Sequence, residues 1–133
     1  MQRRHLLVVA LLIAGVAFYG RLQGQGRPSM DSLRGATIRW MFVEPPVAGM
    51  TFEHTFRDDG TLVWRVIDGP GKGASGEEKR YATMKIADGI HAVSYLAASG
   101  HTLSVVVDFN TGRVVGFGSD NKEWHPLTGT LWD

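Results

Sequence analysis

From residue 36 onward, turn signals recur about every 10–14 residues, and this spacing limits what the chain can fold into. Pro45-Pro46, Asp59-Gly60, Asp88-Gly89, Ser99-Gly100, Thr111-Gly112 and Asp120-Asn121 punctuate it. The runs between them are rich in Val, Ile, Thr and aromatic residues, and none holds a 3.6-residue apolar period long enough for a helix. Eight strands are predicted, over 36–44, 50–57, 61–68, 79–87, 90–97, 101–109, 113–119 and 122–132. Pro126 and Gly129 weaken the last of them. Short turns join antiparallel neighbours, so the expectation is an all-β antiparallel meander. Eight such strands can close into a barrel, which removes exposed edges; a two-sheet sandwich is the alternative. The connection 69–76 holds four glycines and a proline. It lacks the Gly-Lys-Ser/Thr ending of a phosphate cradle and reads as a solvated loop or a lid at a barrel mouth.

The start of the chain has a different character. Arg3 and Arg4 precede an unbroken apolar run from Leu6 to Phe18. The run is short for a bilayer span of about 20 residues but suits the apolar core of an export signal. Residues 1–19 are therefore read as a signal peptide or an N-terminal membrane anchor. Residues 20–34 lack periodicity and are read as a linker, and 35–133 as the folded domain. The localisation this implies is periplasmic or secreted, or anchored by the N-terminal segment.

Charge agrees with that division. The net charge is +1, but all four basic residues before position 31 lie on the leader and linker. The remainder holds 10 Lys/Arg against 13 Asp/Glu, a net of −3. A mildly acidic domain offers no basic surface for nucleic acid, and membrane contact is expected only through an uncleaved anchor. There is no cysteine, so disulfides, thiolate metal sites and thiol catalysis are excluded. A hydrophobic core must hold the domain together unaided.

Alternation assigns faces within each strand. Phe52, His54 and Phe56 share one face of the second strand, and Trp64 lies between Leu62 and Val66 in the third. His91, Val93 and Tyr95 share a face of the fifth, and Tyr81 opens the apolar part of the fourth. Several strands are apolar on both faces, which suggests an outer surface partly covered by a terminus, a helix-like segment or a partner chain, a homo-oligomer among them. Trp124 and Trp132 are expected to plug one end or to cover that outer face. Asp108 before Asn110-Thr111-Gly112 reads as a turn cap. Two histidines, His54 and His91, without a third ligand nearby make no metal site. No nucleophile elbow or metal-binding histidine pair is present, and no cofactor or catalytic set is predicted.

Three stretches resemble known barrels. Phe56-x-x-Asp59-Gly60-x-x-x-Trp64 is similar to a hairpin of calycin-type barrels. Tyr81-x3-Lys85-Ile86-Ala87-Asp88-Gly89-Ile90-x2-Val93-Ser94-Tyr95-Leu96 resembles a segment of the MoaF-like family. Gly100-His101-Thr102-Leu103-Ser104-Val105-Val106-Val107-Asp108-Phe109-x-Thr111-Gly112-x-Val114-x-Gly116-Phe117 fits that family better still. The resemblance covers about 36–120 and implies a small lipocalin-like (calycin) barrel with an interior cavity. The family pattern has no exported leader, which this chain adds. Phenolic acid decarboxylases look like distant relatives in shape, but their glutamate and arginine motif has no match here.

The functional expectation is an exported protein that binds a small hydrophobic or aromatic ligand. The candidate cavity lining is Phe52, His54, Phe56, Trp64, Arg65, Tyr81, His91 and Tyr95. One alternative is a cofactor-free lyase of the decarboxylase type using Glu53, Arg65 and a tyrosine; if Glu53 and Arg65 instead face outward on their neighbouring strands, they form a surface ion pair across the ladder. Another is a protein-interaction scaffold.

Overall fold

The structure, a computed structural model, describes residues 32–132. The leader and most of the linker lie outside the described residues. Nine strands and no helix are found among those described. They are β1 (Thr37–Phe42), β2 (Thr51–Phe56), β3 (Leu62–Asp68), β4 (Ser75–Glu78), β5 (Ala82–Ala87), β6 (Ile90–Leu96), β7 (Thr102–Asp108), β8 (Arg113–Ser119) and β9 (Trp124–Trp132). All pairings are antiparallel, and the sheet order is β4-β3-β2-β1-β9-β8-β7-β6-β5.

The all-β meander is thus as the sequence predicts, with one strand more. The addition is β4, which starts in the segment 69–76 read as a loop and runs two residues beyond it, while the expected strand from 79 begins only at Ala82. First and last strands pair, with Trp40 opposite Leu131 and Phe42 opposite Gly129. That pairing is what closes an up-and-down barrel. The seam lies elsewhere: no ladder joins β4 to β5, which are linked only through residues 79–81. The sheet curls about this seam, because β2 and β6, far apart in the order, meet side chain to side chain at His54 and Tyr95.

The inner face carries the core. Ile38, Trp40 and Phe42, then Phe56 and Leu62, then Val93, Val105, Val107, Val114 and Leu127 are buried together. Leu33, read as the end of the linker, belongs to this core and is fully buried. Register places these residues in rows across neighbouring strands, as with Val93, Val105 and Gly116. Gly116 has no alternative there, because a Cβ would run into the Ser104 carbonyl and Val105 Cα.

The outer face is of two kinds. Across β1–β3 it carries the row Arg39, Glu53, Arg65. Across β5–β9 it exposes Met84, Ile86, Leu96, Val115, Phe117 and Trp124. Trp124 and Trp132 plug nothing; both lie exposed on this outer face, with Phe117 edge-on to Trp124.

Candidate functional site

The β1–β2, β6–β7 and β8–β9 connections gather at one end of the curled sheet, with the β3–β4 connection against β1–β2 at Gly69 and Gly49. Inner-face side chains below them leave a pocket of about 510 Å3, within the usual range for small-molecule sites. Its walls come from Phe42, Phe52, Trp64, Leu103 and Leu127, with His54 and Tyr95 among them. Its rim comes from the turns, through Pro46 and Val47, then Ala97, Ser99, His101 and Thr102, then Ser119, Asp120, Glu123 and His125.

His54 is held rigidly. It is fully buried and stacks on Trp40 with centroids 4.1 Å apart and planes 9° from parallel. Phe52 and Phe56, its neighbours on the same face of β2, flank it at 5.8 and 6.3 Å. Its Nε2 lies 3.0 Å from the Tyr95 hydroxyl, and its Nδ1 is buried with no partner. Burial pushes the imidazole pKa down to about 3, so it is neutral at ordinary pH. The Tyr95 phenol is raised, by burial first and by the Glu78 charge second.

Glu78 fixes the wall beside this pair. Its carboxylate accepts from Trp64 Nε1 at 3.0 Å and from the Ala98 backbone N–H at 2.9 Å. It thereby ties the short edge strand β4 to the turn after β6. Gly76 makes room for the indole, since a Cβ there would lie 2.7 Å from the Trp64 ring.

The rim is polar. Asp120 Oδ1 accepts the N–H groups of Lys122 and Glu123 at 2.8 and 2.7 Å. These bonds hold its carboxyl below the usual range. His101 Nε2 stands 3.7 Å from Asp120 Oδ2, and His125 Nε2 stands 3.5 Å from Glu123. Among the described residues no group of three or more His, Asp or Glu is placed to hold a metal ion.

Of the eight predicted lining residues, Phe52, His54, Trp64 and Tyr95 come together in the pocket. Phe56 lies deeper, fully buried against Tyr81 at 5.2 Å. Tyr81 spends its hydroxyl on the Arg57 carbonyl at 2.9 Å. His91 also points inward and is fully buried, edge-on to Phe109. It sits four residues from Tyr95 along β6, about 13 Å, and does not meet His54. Arg65 is a correction: it lies on the outer face, where its Nε reaches Glu53 at 2.6 Å. Arg39 binds the other oxygen of Glu53 at 2.7 Å. The sheet therefore separates Glu53 and Arg65 from every inward tyrosine, and the decarboxylase-type reading loses its residues. Asp108 is a turn cap, as expected, accepting from the N–H groups of Asn110 and Thr111.

The rim residues were missed because they lie on turns, outside strand alternation. The alternate-turn rule, applied to the predicted meander, would have grouped 45–47, 97–101 and 119–123 at one end.

The MoaF-like family model matches residues 43–132. No curated protein matches the chain in sequence. The fold is similar to that of a crystal structure from Burkholderia vietnamiensis, described provisionally as a beta-lactamase, with 24% identity and a TM-score of 0.63. The likeness covers 75% of this chain and 93% of that one. At this identity it speaks to the fold alone.

Proposed function

The chain belongs to the MoaF-like family, and on that premise we propose that it binds a small, mostly apolar molecule in the pocket at the turn-bearing end of the sheet. The observation that carries this reading is the pocket itself, about 510 Å3 with aromatic and aliphatic walls beneath a polar rim. The apolar run at residues 6–18 supports export or anchoring of the domain.

The test is titration with N-phenyl-1-naphthylamine, a neutral apolar dye. Saturable fluorescence enhancement is expected, lost in Ala97→Trp, which fills the rim. It is expected to survive in Phe117→Ser, which alters only the outer face. Loss in Phe117→Ser with retention in Ala97→Trp would overturn the reading.

The outer face of β5–β9 favours a second reading, self-association. It exposes Met84, Ile86, Leu96, Phe117 and Trp124, and its central hydroxyls, Ser94 and Ser104, already bond each other at 2.7 Å. A second copy covering such a face would bury mostly apolar side chains.

A further inference from the structure

We infer that the ligand is a neutral molecule with a carbonyl-type acceptor on its buried end, which the Tyr95 hydroxyl binds as donor. This rests on the pocket reading above and specifies its chemistry.

Three observations lead to it. The first is what the wall lacks: neither Lys nor Arg is among the residues lining the pocket, and its rim carries Asp120 and Glu123. An anionic group driven to the bottom would lose its hydration and find no lysine or arginine there. The second is the small number of polar groups at depth. The Trp64 indole N–H is already given to Glu78, which leaves His54 and Tyr95.

The third is the orphaned Nδ1 of His54. A neutral imidazole carries one proton. If Nδ1 bears it, Tyr95 must donate to Nε2, and a buried N–H is left with no acceptor. If Nε2 bears it, Nε2–H donates to the Tyr95 oxygen and Nδ1 is left only as an unused acceptor. Orphaned buried N–H groups are the rarer and costlier case. The second arrangement is therefore favoured, and it leaves the Tyr95 O–H without a recipient in the protein. Stacking on Trp40 fixes the imidazole plane, so the phenol oxygen is held in place before any ligand arrives. Tyr95 is then the binding donor and His54 a positioning residue.

The experiment measures displacement of N-phenyl-1-naphthylamine by three probes of one shape: 2-acetylnaphthalene, 2-ethylnaphthalene and 2-naphthoate. The ketone is expected to bind about tenfold more tightly than the hydrocarbon, the worth of one buried hydrogen bond, and the carboxylate most weakly. Tyr95→Phe should abolish the ketone's advantage and leave 2-ethylnaphthalene unchanged. Equal affinities of ketone and hydrocarbon in the wild type, or a carboxylate that binds best, would overturn the inference while the pocket reading stands. No displacement by any of them would overturn both. Long-range 1H–15N spectra of the unliganded wild type give an answer independent of any variant. The His54 ring should be protonated at Nε2, and protonation at Nδ1 would contradict the assignment.

Discussion

His54 shows how one buried residue ties stability to pH. Its imidazole titrates near 3 in the fold and near 6.5 in the unfolded chain. Below about pH 6.5 the unfolded chain takes up a proton that the folded one refuses. Stability from this site is therefore fully present above about pH 7 and falls as pH drops towards 3, by up to about 1.4 kcal/mol per pH unit. Between pH 7 and 5 the loss is roughly 2 kcal/mol. Urea unfolding at the two pH values should show it, and His54→Phe should remove that share. An unchanged pH dependence in the variant would contradict the burial account. Gly116 makes a different demand, since a side chain there meets main-chain atoms of β7 rather than a side chain that could move. Gly116→Ala should cost about 1–3 kcal/mol in chemical denaturation. A neutral result would mean that β7 and β8 can separate.

Among the elements, β4 is the smallest strand and the one most dependent on a single residue. It has four residues, pairs only with β3 and is fastened across the seam by Glu78. Glu78→Ala removes two charge-assisted hydrogen bonds and frees the Trp64 indole. We expect a loss of about 2–3 kcal/mol and a red shift of tryptophan emission, both followed during urea unfolding. Wild-type stability in this variant would show that the seam needs no fastener. The same strand marks where sequence reading fails. Ser75-Gly76-Glu77-Glu78 has no apolar alternation and follows a run of glycines, so it reads as loop; partnership with β3 makes it a strand. Strand β9 shows the converse. Pro126 and Gly129 read as weakening this strand, yet Pro126 sits opposite Phe117 within the ladder. Gly129 is where the Met41 carbonyl approaches too closely for a Cβ. A strand such as β1, in which buried and exposed residues alternate strictly, is legible because burial on one face is its dominant constraint. Half of the candidate lining was legible for the same reason. The rest was not, because alternation gives a side chain's face but not its depth within the curled sheet. Phe56, Tyr81 and His91 were placed correctly inward, and at the wrong level.

At the scale of the molecule, two surfaces compete for the hydrophobic chemistry. The pocket lies inside the curl. The β5–β9 face lies outside it and runs without a charged side chain from Met84 to Trp124, with Phe117 52% and Trp124 67% exposed. Sheet-on-sheet packing of two copies would bury that face. Sedimentation velocity should find a dimer in the wild type at tens of micromolar and a monomer in Met84→Asp/Phe117→Asp. A wild-type monomer under those conditions would leave the face without a second copy. The central claim, that the pocket and not this outer face receives the small apolar ligand, is tested most directly by intermolecular nuclear Overhauser effects from bound N-phenyl-1-naphthylamine. The account predicts contacts to Phe52, Trp64, Leu103 and Leu127. Contacts confined to Met84, Val115 and Phe117 would contradict it.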